Sequence, residues 1–224
     1  MFALLRPALG KSRLVRGLAA LAIALLTLPA PVTGQSVTIG PIVRVEQDWE
    51  IDVGIPAPEI CCPQIYFQVT PRVGEAINCQ FLINYCDLPR FAAGGLQVQI
   101  WNGPDNLATN DYMAGQAVLR TDNETIKFTL FTQVDSGNLN FGVTNIQSVT
   151  WGNASGALYV TTPYNYLSLP LYSTADTMNN SGILWGSNRI QGIKLNVVRK
   201  YDASGNTVTE AAQTLIDNGG SGGN

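Results

Sequence analysis

Period-two alternation of apolar and polar residues constrains this chain more than any other feature. Residues 42–53 alternate, as do Gln64-Ile-Tyr-Phe-Gln-Val-Thr70 and Ile77-Asn-Cys-Gln-Phe-Leu-Ile-Asn84. Leu96, Val98 and Ile100 share one face, with Gln97 and Gln99 on the other; Ile126, Phe128 and Leu130 repeat the pattern. In residues 189–201, Ile193, Leu195 and Val197 alternate against Lys194, Asn196 and Arg199. This period belongs to half-buried antiparallel strands. Between the runs stand Gly94-Gly95, Asn102-Gly-Pro-Asp105, Asp135-Ser-Gly-Asn138, Gly152-Asn-Ala-Ser-Gly156, Asn179-Asn-Ser-Gly182 and Asp202-Ala-Ser-Gly-Asn206. Each supplies turn chemistry. A 3.6 period is missing throughout, and residues 210–217 are the one stretch that suits a short terminal helix. The pattern predicts an all-β protein, an antiparallel two-sheet sandwich of jelly-roll type.

The N-terminus follows a different rule. A basic start runs to Arg16, an apolar run covers residues 18–28, and Pro29-Ala-Pro-Val-Thr-Gly34 breaks it. The apolar run is too short to span a bilayer, which takes about 20 helical residues. This is the layout of a secretory signal peptide. Val32 and Gly34 suit the cleavage site, and no Cys follows that could carry a lipid. The expected organisation is a signal peptide at 1–34, a lead-in at 35–41, the sandwich at 42–210 and a flexible Gly-rich tail at 211–224. The expected destination is extracellular, in the medium or at the cell surface.

Composition excludes several functions. The chain has no histidine, so Ser-His-Asp and Cys-His catalysis, His metal sites and imidazole switches are out. Arg6, Lys11, Arg13 and Arg16 lie in the leader, which has no acid; the remainder holds nine basic and 16 acidic residues. Nine cations scattered from Arg44 to Lys200 offer no basic face for nucleic acid or anionic lipid. Gly-rich phosphate loops and G-x-S-x-G are missing too. Export makes Cys61, Cys62, Cys79 and Cys86 disulfide candidates. Vicinal cysteines rarely bridge each other, so Cys61 and Cys62 are expected to pair with Cys79 and Cys86, in an order that stays open. The spacing does not fit a zinc site.

Residues 46–52, Glu46-Gln-Asp-Trp-Glu-Ile-Asp52, place Glu46, Asp48, Glu50 and Asp52 on one strand face, with Trp49, Ile51 and Val53 turned to the core. Stacked like charges need solvation or a cation. Structural calcium is conceivable there, although no calcium-loop spacing is present. Glu46-x-Asp48-x-Glu50 resembles the E-x-D-x-E strand of laminarinase-type retaining β-glucanases. That resemblance implies Glu46 as nucleophile, Glu50 as acid/base and Asp48 as helper. It covers five residues, and Gln47 stands where that family has an apolar residue.

Trp101, Trp151 and Trp185 sit beside turns, where exposed rings with amide neighbours would stack on sugars; aromatics also anchor sandwich cores. Three sequons begin at Asn123, Asn153 and Asn179. More widely, Glu46-Gln-Asp-Trp-Glu50, residues 91–101, Trp151-Gly152 and Asn188-Arg-Ile-Gln191 are similar to uncharacterised secreted bacterial proteins. Their resemblance implies a concanavalin-like or laminin-G-like sandwich and brings no activity with it. The functional expectation is a non-catalytic exported sandwich, free of cofactors, whose partner is a neutral polysaccharide or a surface protein. The alternatives are a retaining glycoside hydrolase using Glu46, Asp48 and Glu50, or a structural subunit of an envelope assembly.

Overall fold

The computed structural model describes residues 39–54, 63–84, 94–113, 119, 123–154 and 156–217. They belong to one compact unit, Val37–Asn224. The expected signal peptide, most of the lead-in, Cys61, Cys62, Cys86, residues 91–93 and the end of the tail lie outside the described residues.

The described chain is an all-β sandwich of two antiparallel sheets, as the alternation predicts. One sheet has seven strands. Its spatial order is β11 (Thr207–Glu210), β10 (Ile190–Asp202), β1 (Ile42–Val53), β6 (Glu124–Asp135), β7 (Asn138–Gln147) and β8 (Leu158–Pro163), with β12 (Gln213–Asp217) also on β10. The other has five, in the order β5 (Asp105–Tyr112), β4 (Leu96–Asn102), β3 (Ile77–Ile83), β2 (Gln64–Val69) and β9 (Gly182–Trp185). Residues 213–217 are therefore a strand, not a helix or a loose tail. The free side of β10 offers a backbone ladder, and pairing there satisfies groups that a lone short helix would leave open.

Inward residues of both sheets meet in one core. Trp49 packs on Phe67 at 4.7 Å between ring centroids, and Phe128 packs edge-on against Phe67 at 5.2 Å and Phe81 at 5.1 Å. Each such pair adds about 0.5–1.5 kcal/mol to the burial term. Strand parity explains most of this core, with exceptions at two register shifts, one on β7 between Val143 and Ile146 and one on β10. On β10 the inward row is Ile193, Leu195 and Val198 rather than Val197, which is half-buried. The β1–β10 register jumps from Asp48↔Val197 to Trp49↔Leu195. Asn196 is the extra residue of a β-bulge, and a bulge reverses parity along its strand.

The hairpin Asp135–Asn138 turns through Ser136 (φ 49°) and Gly137 (φ 78°), the twin positive φ that joins two twisted strands most tightly. One side of the sandwich closes where Asn110 Nδ2 on β5 donates to the Tyr159 carbonyl on β8 at 3.1 Å. The chain after β8 crosses between the sheets. Leu169 N donates to the Ile42 carbonyl at 2.6 Å, and Val73 N to the Leu171 carbonyl at 3.4 Å. A seven-residue helix, α1 (Thr174–Asn180), follows, capped by Ser173 Oγ accepting from Asp176 N. Its buried side chains are Thr174 and Thr177, so it carries no apolar period to read. Gln47 meets it there: buried in the inward row, it accepts from Trp49 Nε1 at 3.1 Å and donates to Tyr172 Oη and Thr177 Oγ1. The residue that departs from the glucanase pattern is thus the polar tie between β1 and the crossing segment.

Candidate functional site

The two sheets present different outer faces. On the seven-stranded sheet, Glu46, Asp48, Glu50 and Asp52 do share one face, and each has a cation. Glu46 Oε1 receives Arg44 at 2.9 Å, and Oε2 receives Arg199 Nε at 3.1 Å and Tyr201 Oη at 2.8 Å. Arg199 also grips Asp48 in two parallel bonds of 2.7 Å, and Thr129 donates to Asp48 Oδ1 at 2.8 Å. Lys127 reaches Glu50 at 2.9 Å and Lys194 reaches Asp52 at 3.5 Å. The bulge at Asn196 makes this possible. Lys194 and Arg199 are an odd number of residues apart and would face opposite ways on a regular strand. With the extra residue, they stand opposite Glu50 and Glu46.

Burial acts to raise the Glu46 pKa, but hydrogen bonds from Tyr201, Arg199 and Arg44 outweigh it and hold the carboxyl below its ordinary range. Bonds to Asp48, then to Glu46, push the Arg199 pKa up against the effect of burial. A retaining glycosidase needs one carboxylate free to attack and another free to give a proton. Here both oxygens of Glu46 and of Asp48 are occupied. The row works as a charge ladder across three strands.

The outer face of the five-stranded sheet is of another kind. None of β2, β3, β4, β5 and β9 contains a Lys or Arg. Register lines up Tyr66, Leu82, Gln97 and Asp111 in one row and Gln68, Gln80, Gln99 and Thr109 in the next. Asn78 and Trp101 pair beyond them. On β4 a run of hydrogen bonds links side chains of one face: Trp101 Nε1 donates to Gln99 Oε1 at 2.7 Å, Gln99 Nε2 to Gln97 Oε1, and Gln97 Nε2 to Asp111 Oδ1. On β3, Gln80 Nε2 donates to Asn78 Oδ1 at 3.0 Å. Gln97 and Gln99 are 6% and 7% exposed, so their amides are held by neighbours rather than by bulk water.

The three candidate tryptophans separate. Trp101 is half-buried on this face. Trp185 is 41% exposed and pairs with Gln64 across β2–β9, which sets it on the same face. Trp151, at 3% exposed, belongs to the core and is no ligand contact; its backbone N–H donates to Ser148 Oγ at 3.1 Å, drawing the ring inward. With strands about 5 Å apart and about 3.4 Å per residue along them, Trp101 and Trp185 stand on the order of 25 Å apart, with Tyr66 between. Gln64, Gln68, Gln80, Gln97, Gln99 and Asp111 are the polar residues of the face that aromatic-based reasoning overlooks. Their signal was a glutamine at outward parity on three neighbouring strands.

Cys79 carries a free thiol, fully buried on the inward side of β3. The expected bridge to Cys61 or Cys62 is not made: Cys79 shares its parity with Phe81 and Ile83, which the core requires inside. Burial pushes its pKa up. One end of the sandwich holds buried polar groups that the sequence did not announce. Arg189 is fully buried and donates to the carbonyls of Gly54 at 3.0 Å and Leu119 at 3.2 Å. Asn84, in the left-handed conformation at φ 61°, accepts from Leu119 N and donates to the Pro63 carbonyl. Glu124 accepts from Ser148 Oγ, Thr150 N and Thr150 Oγ1. These groups join loops from both sheets.

A small apolar cavity of about 180 Å³ lies between Tyr112, Ile146, Ala154 and Leu158. Among the described residues no group of three or more Cys, Asp or Glu is gathered to hold a metal ion, and no helix is long and apolar enough to cross a membrane.

No protein-family model and no curated protein matches the chain. Solved structures similar to it include scytalido-glutamic peptidase with a peptide-based transition state analogue, at 10% identity and TM-score 0.36, covering 80% of this chain and 85% of that one. Another is SCP-B, a member of the eqolisin family of peptidases in complex with the tripeptide Ala-Ile-His, at 9% identity and TM-score 0.31, covering 80% of this chain and 84% of that one. At such TM-scores no shared site follows from the likeness.

Proposed function

We propose that this protein is an exported, non-catalytic β-sandwich that binds a neutral polysaccharide on the outer face of its five-stranded sheet. One observation carries the reading: that face combines Trp101, Tyr66 and Trp185 with the half-buried amides of Gln68 and Gln80 and has no cation in any of its strands. Sugar rings stack on aromatic faces through their C–H surfaces, and their hydroxyls both donate and accept. Amides match that need without favouring either charge. A polyanion would find no counter-ion there.

Tryptophan fluorescence titrated with neutral β- and α-glucans, mannans and galactans, alongside heparin and DNA, tests the reading. A neutral glycan should bind, Trp101→Ala and Trp185→Ala should each weaken it by about 1–2 kcal/mol, and heparin and DNA should not bind. Glu46→Gln and Glu50→Gln should leave binding intact, and no sugar should be released. Release abolished by either substitution would instead favour the hydrolase. Silence across all neutral glycans, with self-association on sizing, would favour the structural subunit.

A further inference from the structure

Strand register sets Trp185, Tyr66, Gln80 and Trp101 on a straight line. Trp185 is opposite Gln64, Tyr66 opposite Leu82, Gln68 opposite Gln80, and Asn78 opposite Trp101. Each of the four therefore stands one strand over and two residues further along than the one before it. Neighbouring strands are about 4.8 Å apart and two residues rise about 6.8 Å, so each step is about 8 Å and the line is inclined about 35° to the strands. Trp185 is 41% exposed, and the other three are half-buried. The line is also kept open and its members are held. Gly182 stands opposite Tyr66, where any Cβ would lie 3.9 Å from Tyr66 Cε1, so β9 puts no side chain beside that ring. Trp101 Nε1 donates to Gln99 Oε1 at 2.7 Å, and Gln80 Nε2 donates to Asn78 Oδ1 at 3.0 Å. Both bonds run along their strands, off the line, and fix the indole and the amide in advance; groups ordered beforehand lose less entropy on binding. Gln80 keeps its oxygen and one N–H for a hydroxyl.

We propose that the ligand of this face is a straight, extended glycan chain lying lengthwise on the line from Trp185 through Tyr66 and Gln80 to Trp101. The inference rests on the glycan reading above and narrows it to a class. Chains linked through equatorial bonds at both sides of each ring run as straight ribbons, whereas the axial linkage of an α-glucan makes the chain coil. A ribbon laid on Trp185 continues over Tyr66 and Gln80 to Trp101; a coil leaves the line after the first contacts. A disaccharide covers one step, and an extended hexasaccharide spans the line of about 25 Å. Every contact after the first is intramolecular, so affinity climbs with chain length until both tryptophans are engaged.

The test titrates cello-, β-manno- and xylo-oligosaccharides, from disaccharide to hexasaccharide, beside maltohexaose, with binding read by calorimetry. At least one extended series should bind wild type, its hexasaccharide about a hundredfold tighter than its disaccharide. Maltohexaose should bind no tighter than that disaccharide. Trp101→Ala and Trp185→Ala should each weaken the hexasaccharide about tenfold. Each should change the disaccharide by about twofold at most, because the other end of the line remains. Tyr159→Ala, which removes an exposed ring from the other sheet, should change neither; circular dichroism confirms that all three variants fold. A hexasaccharide no tighter than its disaccharide, a length gain that survives either tryptophan substitution, or maltohexaose as tight as the extended hexasaccharides overturns this inference alone. So does a wild type that binds other neutral glycans but none of the three extended series. A wild type that binds no neutral glycan overturns the glycan reading and this inference together.

Discussion

Arg199 is the test of the charge ladder. Replacing it with Met keeps the unbranched stem and its packing but removes the guanidinium. Three bonds go: one to Glu46 at 3.1 Å and two to Asp48 at 2.7 Å. Glu46 keeps Arg44 and Tyr201, so it is not stranded. Asp48 keeps Thr129 alone among the partners described above. Side-chain exposures of 28% for Arg199, 20% for Glu46 and 32% for Asp48 place the group between two regimes. Breaking a fully buried pair costs about 3–5 kcal/mol, and losing an exposed one about 0–1. We expect a loss of about 2 kcal/mol at pH 7, or about 4–8 °C in Tm for a domain of this size. Urea unfolding followed by tryptophan fluorescence measures it. Asp48→Asn should cost less, and the double variant should cost less than the two singles added, with a coupling of about 1 kcal/mol or more. The pH profile adds a second reading. The folded Glu46 pKa lies below its unfolded value. Its stabilisation is therefore complete above the unfolded carboxylate range, near pH 4.3, and is lost as pH falls through the lower folded value. Arg199→Met should flatten that acid limb. A variant within about 0.5 kcal/mol of wild type, additive with Asp48→Asn, would show that the row is merely solvated and the reasoning wrong.

Gly142→Ala should fold poorly, because a Cβ there would lie 2.4 Å from the Leu158 carbonyl oxygen and 2.5 Å from Tyr159 Cβ; circular dichroism and yield would register a loss well above the ~1–3 kcal/mol of ordinary overpacking. The Cys79 thiol should resist iodoacetamide in the folded protein at pH 8 and react on unfolding in urea, read by peptide mass spectrometry, since it is fully buried and its pKa is raised. Asp202 accepts from Asn206 Nδ2 and from the backbone N–H groups of Gly40, Asn206 and Ser204, and these hold its pKa at about 2. It should stabilise the fold above the ordinary aspartate range and lose that contribution as pH falls toward 2, so Asp202→Asn should lower Tm at pH 7 and cost progressively less below pH 4.

The sandwich could be read from the sequence because burial on one face of a strand imposes period two locally, residue by residue. Val45, Trp49 and Ile51 against Glu46, Asp48 and Glu50 need no knowledge of the partner strand. The same logic gave the wrong inward residue on β10, because a bulge is decided by how β1 and β10 fit across the ladder. Gln97 and Gln99 were legible as an outward pair on β4. That Asp111, more than ten residues later, ends their hydrogen-bond run follows from the β4–β5 register. Helix α1 carries no signal since its buried face is made of threonines.

What the sequence determined by itself was the class of structure and the classes of chemistry ruled out. Alternation and turn residues are local properties, and the absence of histidine is a matter of composition. Tertiary structure decided everything that depends on which strands become neighbours. It turned four stacked acids into a neutralised ladder by setting Lys127, Lys194 and Arg199 beside them. It sent Trp151 into the core and left Trp185 on the surface, though both sit near turns. It gathered glutamines from three strands into one face whose strands carry no Lys or Arg. Pairing of distant strands is chosen by the whole core at once, and no window along the chain contains that information.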